Sequence, residues 1–376
     1  MTSKQLNTHK LWDLKQSPWI DDISKCMIDT GELKRRIYEE GIRGVTTNPS
    51  IFDKSISSGN CGYPDEMRKL IEKGLDEVGV YEALSADDVR KAADIMRKLY
   101  DESGGDDGFV SWEEDPQWAN DEEKSVSEAH RLAKIIDRPN LFVKVPSTTE
   151  GASALRRLIR DGVSINMTLI FSLDQYINVA ENYLSGLEDR LADGNEIDKV
   201  RSVASVFVSR IDTMVDNQLD ECSNQDKAAP LKGEIGVAGM KMIYKEYQRL
   251  FESERFRALA KHGAKAQRVL WGSTGTKNSN YSDTLYVDSL IAPNTVNTIP
   301  IKTIEAFVDH GKAESHTIFD NVPEAEDMLR TLDEIGVSLP DITAKLLEDG
   351  LKSFAKSYDD LIETIKKSMV EVGHAS

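Results

Sequence analysis

Short apolar runs recur along the chain, separated by stretches whose apolar residues fall three and four apart. The runs read as strands at 17–21 (SPWID), 44–48 (GVTTN), 108–113 (GFVSWE), 140–146 (NLFVKVP), 163–171 (VSINMTLIF), 203–210 (VASVFVSR), 267–273 (QRVLWGS) and 288–293 (DSLIAP). Most are apolar at consecutive positions, as strands covered on both faces of a parallel sheet are. The intervening stretches read as helices. Residues 85–102 open with Ser85 and Asp88 in capping-box spacing and set Val89, Ala93, Met96 and Tyr100 on one face. The stretch EGASALRRLIRDG follows the fourth strand in the same manner. Eight strands alternating with helices predict an α/β fold, the TIM (β/α)8 barrel. An open doubly wound sheet is the competing arrangement, but no G-x-G-x-x-G turn follows the first strand.

Two regions exceed a minimal barrel. Residues 51–107 hold about two helices and a GGDDG loop, read as a helical insertion. Residues 341–370 read as one long helix with Leu347, Leu351, Phe354, Tyr358, Leu361, Ile365 and Met369 in an apolar stripe that needs a partner. Packing on its own barrel is the ordinary outcome; a dimer seam or an interaction module are the others. The expected organisation is a single domain over 1–376, as a monomer or homodimer.

Composition narrows the partners. Lys+Arg 47 against Asp+Glu 65 leaves a formal charge of -18, which repels a phosphate backbone and argues against nucleic acid. Mean hydropathy is -0.44, and no apolar run approaches the ~18 residues of a membrane span. The N-terminus shows no secretory signal, so the cytoplasm is the expected compartment. Cys26, Cys61 and Cys222 are an odd count without a CxxC, which fits reduced thiols. The six histidines show no ligand spacing, and no P-loop or dinucleotide fingerprint is present, so neither a metal nor another cofactor is expected.

In such a barrel, catalytic side chains come from the C-terminal ends of several strands. The polar residues there are Asp21, Thr46 to Asn48, Glu113, Lys144, Asn166, Thr168, Ser205 with Arg210, Ser273 with Lys277, and Asn294. Each has an ordinary structural explanation: Asp21 and Asn48 could cap helices, Glu113 sits in a solvated-looking WEEDP, and Lys144 could lie on an edge strand. Together they bring a lysine, carboxylates, a hydroxyl and an arginine to one pocket. A lysine among apolar neighbours loses hydration, which favours the free amine. An amine attacks a ketone, and the protonated Schiff base is an electron sink that permits cleavage of the adjacent carbon–carbon bond. That chemistry needs one carboxylate to take a hydroxyl proton and a second acid/base to manage water.

The segments WIDDISK, GVTTNPSIFDKSI, NLFVKVPSTTEG, GVSINMTLIFS, SVFVSRIDTMVD, LWGSTGTKN and IAPNTVNTIP resemble the transaldolase family in its longer bacterial form, from about residue 10 to 370. The resemblance implies a class I aldolase-type barrel that moves a dihydroxyacetone unit between sugar phosphates in the pentose phosphate pathway. It implies Lys144 as the Schiff-base lysine and Asp21, rather than Asp22, as the base that takes the C4-hydroxyl proton. Glu113, rather than Glu114, would work with Thr168 and a water during carbinolamine formation and breakdown. Asn48 and Asn166 would hold the hydroxyls of the three-carbon unit. Arg210 would bind phosphate, assisted by Ser205, Ser273 and Lys277, with Phe207 bordering the pocket. Shorter relatives tend to carry an arginine where this chain has Lys277, which would bind as a point charge without a bidentate fork. A fructose-6-phosphate aldolase, releasing free dihydroxyacetone, is the nearest alternative. A sugar-phosphate isomerase or a binding protein on the same barrel is a further one.

Overall fold

The computed structural model describes residues 5–58 and 62–374. Eight parallel strands close into a barrel in chain order: β1 Gln16–Ile20, β2 Gly44–Val45, β3 Phe109–Glu113, β4 Leu141–Pro146, β5 Ile165–Ile170, β6 Ser202–Phe207, β7 Arg268–Gly272 and β8 Thr295–Ile299. Closure rests on β8, which pairs with β1 from Gln16↔Thr295 to Ile20↔Ile299. This is the expected TIM barrel, and the ring of pairings excludes the open sheet.

The alternation of side chains along each strand sorts two cores. Trp19, Phe109, Phe142, Val203, Leu270 and Val296 form a small inner cluster, with Phe109 and Phe142 stacked at 4.0 Å and Trp19 stacked 6.2 Å from Phe142. Trp112, Val143, Val145, Met167, Val206 and Trp271 belong to the larger cluster shared with the helices. With a period of two, the next inward positions toward the C-terminal rim are Asp21 above Trp19, Lys144 above Phe142, Ser205 above Val203 and Thr298 above Val296. The polar groups therefore stand on an apolar floor.

Several boundaries differ from the sequence reading. The segment 288–293 is not a strand: Leu285–Asp288 is a short helix, and the eighth strand is Thr295–Ile299. The apolar run Leu290, Ile291 and Ala292 is buried as loop, tied by Gln16 Nε2 to the Leu290 carbonyl (2.7 Å) and by Ile318 N to the Ile291 carbonyl (3.2 Å). Asn294 consequently lies before β8, at the end of the barrel opposite the polar rim. It takes a left-handed φ of 57° and donates its N–H to the Lys15 carbonyl. Strand β6 stops at Phe207, and Arg210 belongs to the helix Ser209–Glu221. Ser85 is no cap: its helix runs Glu77–Glu102, capped by the Asp76 side chain accepting from Gly79 N. Residues 51–107 hold parts of three helices, Pro49–Ser57, Tyr63–Glu72 and Glu77–Glu102.

The tail is one helix, Leu339–His374. It packs on the three helices between β2 and β3, on Ser209–Glu221 and on β5, with Leu361 and Ile365 fully buried. Cys222 is a free thiol, whereas Cys26 is disulfide-bonded, against the expectation of reduced thiols; Cys61 lies outside the described residues. No helix among the described residues is long and apolar enough to cross a membrane.

Candidate active site

Lys144 sits inward on β4 and is 5% exposed. Its Nζ donates to the Thr47 carbonyl at 2.8 Å and is ion-paired with Glu113, its in-register neighbour on β3. The lysine is buried as the sequence implied, but a carboxylate rather than apolar side chains alone meets its ammonium. Among the described residues, Glu113 has no partner other than Lys144. Burial pushes its carboxyl up to about 7 against the opposing charge of Lys144, so it titrates where a proton shuttle is useful.

Asp21 follows β1 at the same rim. Its Oδ1 accepts from Thr46 Oγ1 at 2.7 Å, and Thr46 Oγ1 lies 2.5 Å from Thr298 Oγ1 on β8. Burial raises the Asp21 carboxyl, while the Thr46 hydrogen bond and the charges of Lys144 and Lys277 hold it down. Thr168 on β5 is 1% exposed, and its Oγ1 has no hydrogen-bond partner among the described residues. It stands at a register shift between Met167 and Ile170, beside Leu169 with a φ of 61°. A bulge of this kind re-aims a side chain at a strand end.

Asp21, Lys144 and Thr168 share one cavity of about 190 Å3 with Asn48, Ser205, Phe207, Arg210, Ser273 and Lys277. Two expected residues are not on its wall. Glu113 lies behind the lysine. Asn166 is fully buried, its Nδ2 donating to Ser111 Oγ (3.1 Å) and its Oδ1 accepting from Ser205 Oγ (2.6 Å). Asn48 does cap a helix, its Oδ1 accepting from Ile51 N at 3.0 Å and Ser50 Oγ at 2.6 Å; the cavity wall and the cap are the same residue.

The far side of the cavity is cationic. Arg210 lies in the first turn of Ser209–Glu221, a helix whose N-terminus has no side-chain cap. Among the described residues its guanidinium has neither a carboxylate nor a hydrogen-bond partner, and burial lowers its pKa. Its Cζ is 5.5 Å from the Phe207 ring centroid. Ser273, in the left-handed region at φ 53°, hydrogen-bonds Ser209 hydroxyl to hydroxyl at 2.9 Å. A guanidinium without a counter-charge, beside an uncapped helix N-terminus, is suited to a phosphate.

Sequence reasoning did not assign Thr298, Ser353, Phe354 or Ser357, all on the cavity wall. Thr298 had a signal in the β-branched alternation of TVNTI. Phe354 was visible only as one apolar residue of the tail stripe, which announces burial and not what is covered.

The profile of the Transaldolase/Fructose-6-phosphate aldolase family matches residues 18–365. Curated relatives named "Transaldolase" include one from Mycolicibacterium paratuberculosis, 41% identical over 370 residues that cover 98% of this chain and 99% of the relative. Another, from Mycolicibacterium smegmatis, is 43% identical over 347 residues, covering 92% and 93%. A third, from Mycobacterium tuberculosis, is 42% identical over 364 residues, covering 96% and 97%. A closed barrel, a buried lysine–carboxylate pair at its rim and a match over nearly the whole chain agree: this chain belongs to the transaldolase/fructose-6-phosphate aldolase family.

Proposed function

We propose that the chain is a transaldolase, moving a dihydroxyacetone unit from sedoheptulose 7-phosphate or fructose 6-phosphate to glyceraldehyde 3-phosphate or erythrose 4-phosphate. The observation that carries the reading is one cavity with a buried lysine at its floor and a guanidinium without a counter-charge in its wall. The relatives' name favours transfer over release of free dihydroxyacetone. Glu113 takes a proton from Lys144, whose nitrogen then attacks C2 of the ketose. Carbinolamine loses water with a proton from Glu113, relayed by the Thr168 hydroxyl and a water. Asp21, held by Thr46, accepts the C4-hydroxyl proton as the C3–C4 bond breaks and an aldose phosphate leaves. The enamine on Lys144 then bonds to the aldehyde carbon of the second aldose, whose oxygen takes the proton back from Asp21.

The geometry supports the remaining assignments. Asn48 has its Oδ1 committed to the helix cap, leaving its Nδ2 for a substrate hydroxyl. Asn166 works through Ser205, which it orients. Arg210, Ser273 and the helix N-terminus take the phosphate, while Lys277 acts on the phosphate and on Asp21 together. The proposed compartment is the cytoplasm and the proposed state a monomer or homodimer. The test is borohydride reduction with fructose 6-phosphate followed by mass mapping. A three-carbon adduct on Lys144 that is depleted by erythrose 4-phosphate, with sedoheptulose 7-phosphate formed, supports transfer; no adduct on Lys144 overturns the reading.

A further inference from the structure

The barrel supplies most of the cavity wall, yet one face of it comes from the C-terminal helix. Ser353, Phe354 and Ser357 reach the cavity at spacings of one and four residues, a single helical face. The Phe354 ring centroid is 5.9 Å from Lys144 Nζ. The helix is fixed on both sides of this face: Ile342 and Leu346 are buried before it, Leu361 and Ile365 after it. Tyr358, one turn beyond Phe354, packs edge-on against Tyr81 at 5.6 Å. On the other side, a Cβ at Gly350 would meet Leu169 Cδ2 at 3.2 Å, so the missing side chain lets the helix settle beside the residue that follows Thr168.

The two serines differ from several other helix hydroxyls of this chain. Ser85, Thr331 and Thr364 donate to the carbonyl four residues back. Ser353 and Ser357 have no hydrogen-bond partner among the described residues and face the cavity. Unspent hydroxyls beside an aromatic ring are the usual means of holding a polyhydroxylated ligand.

We propose that Ser353, Phe354 and Ser357 are specificity-determining residues for the aldose acceptor. The hydroxyls bond to the aldose, and the ring covers the three-carbon unit on Lys144 until the aldose arrives. This rests on the Schiff-base reading of Lys144. Two routes leave the enamine. In transfer, its carbon forms a bond to the aldehyde carbon, whose oxygen is protonated. In premature release, the enamine carbon takes a proton and water adds to the iminium carbon. The carbon–nitrogen bond then breaks, the lysine nitrogen keeps the electron pair, and dihydroxyacetone departs. A ring over Nζ disfavours the second route by restricting water, and bound aldose favours the first.

The test uses the full chain with fructose 6-phosphate as donor and erythrose 4-phosphate as acceptor, measuring free dihydroxyacetone against sedoheptulose 7-phosphate. Phe354→Ala is expected to raise the ratio of release to transfer severalfold, with Phe354→Tyr restoring it. The double variant S353A/S357A is expected to raise KM for erythrose 4-phosphate about tenfold, the equivalent of ~1.4 kcal/mol, with a smaller change in kcat. Borohydride trapping accompanies each variant. An adduct on Lys144 with both the release ratio and the acceptor KM unchanged overturns the proposal. No adduct in the unmodified protein overturns the Schiff-base reading instead. Should Phe354→Ala fail to fold, as circular dichroism would report, the double variant decides alone, since neither serine is buried.

Discussion

Replacing Arg210 by Ala tests the anion end of the cavity. The guanidinium is half-buried and has no hydrogen-bond or ion-pair partner among the described residues, so its removal breaks no internal polar bond and costs only its contact with the Phe207 ring. On the proposed function, what is lost is its bond to the substrate phosphate. Two charge-assisted hydrogen bonds to a phosphate are worth roughly 1.5–3 kcal/mol each. Lys277, Ser273 and the helix N-terminus retain part of the attraction, leaving a net loss of about 3–4 kcal/mol, or roughly 10²–10³ in kcat/KM for fructose 6-phosphate. Arg210→Lys keeps the charge and loses the fork, and should cost about tenfold. The assay compares kcat/KM for fructose 6-phosphate and for fructose, with unphosphorylated glyceraldehyde as acceptor so that phosphate enters only on the donor. Ionic strength is held fixed because exposed charges are screened by salt. The fructose value should change little. Equal losses for both donors would refute a phosphate role for Arg210.

Lys144→Ala and Lys144→Arg should both fold and lose transfer by at least about 10⁴-fold, with no borohydride adduct; an active Arg variant would instead favour isomerase or binding chemistry on the same barrel. With Glu113 titrating at about 7 and acting first as base, kcat/KM should rise as pH increases through that value. Glu113→Gln should abolish this limb, and an unmoved limb would count against the assignment. Glu114 is 3% exposed, and burial lifts its carboxyl from 4.5 to about 8, the Ser125 hydrogen bond only partly offsetting this. Between about 4.5 and about 8 the folded state then holds a proton that the unfolded chain has released. This group accordingly lowers unfolding free energy as pH rises, by up to about 1.4 kcal/mol per pH unit. Glu114→Gln should flatten the profile of melting temperature against pH over that window, and parallel profiles for the two proteins would refute the linkage.

The barrel was legible because both faces of its strands are largely apolar and several inward rim positions break the pattern. That contrast exposed Lys144, Asn166, Thr168 and Ser205 within runs that otherwise read as core. The eighth strand was not legible, because LIAP is more hydrophobic than TVNTI. The first is buried as loop under the barrel, while the second has the β-branched alternation that a ladder prefers. Burial was a poorer guide there than side-chain shape. The same error carried Asn294 to the wrong end of the barrel. Glu113 was found from its motif, but sequence order does not reveal that it stands behind Lys144; that depends on the register between β3 and β4. The role of the tail in the cavity was hidden for a related reason: a stripe at helical spacing gives the direction of burial without its target.

An ammonium can stand in the middle of an apolar strand because the strand has two environments. Val143 and Val145 face outward to the helices, Phe142 contributes to the apolar floor, and only Lys144 meets the cavity. Its charge is matched by Glu113, yet a buried pair of this kind is weak support for a fold, since desolvating two ions can cost more than their attraction returns. Glu113 is left with an oxygen that has no partner among the described residues, and Thr168 with an unbonded hydroxyl. A core selected for stability alone would fill such positions with apolar side chains of similar size. Beside one amine, at the rim where strands converge, the Thr168 hydroxyl on the cavity wall is open to the reacting substrate and the water it releases, and Glu113 behind the lysine to the lysine's own proton, as making and breaking a carbon–nitrogen bond requires.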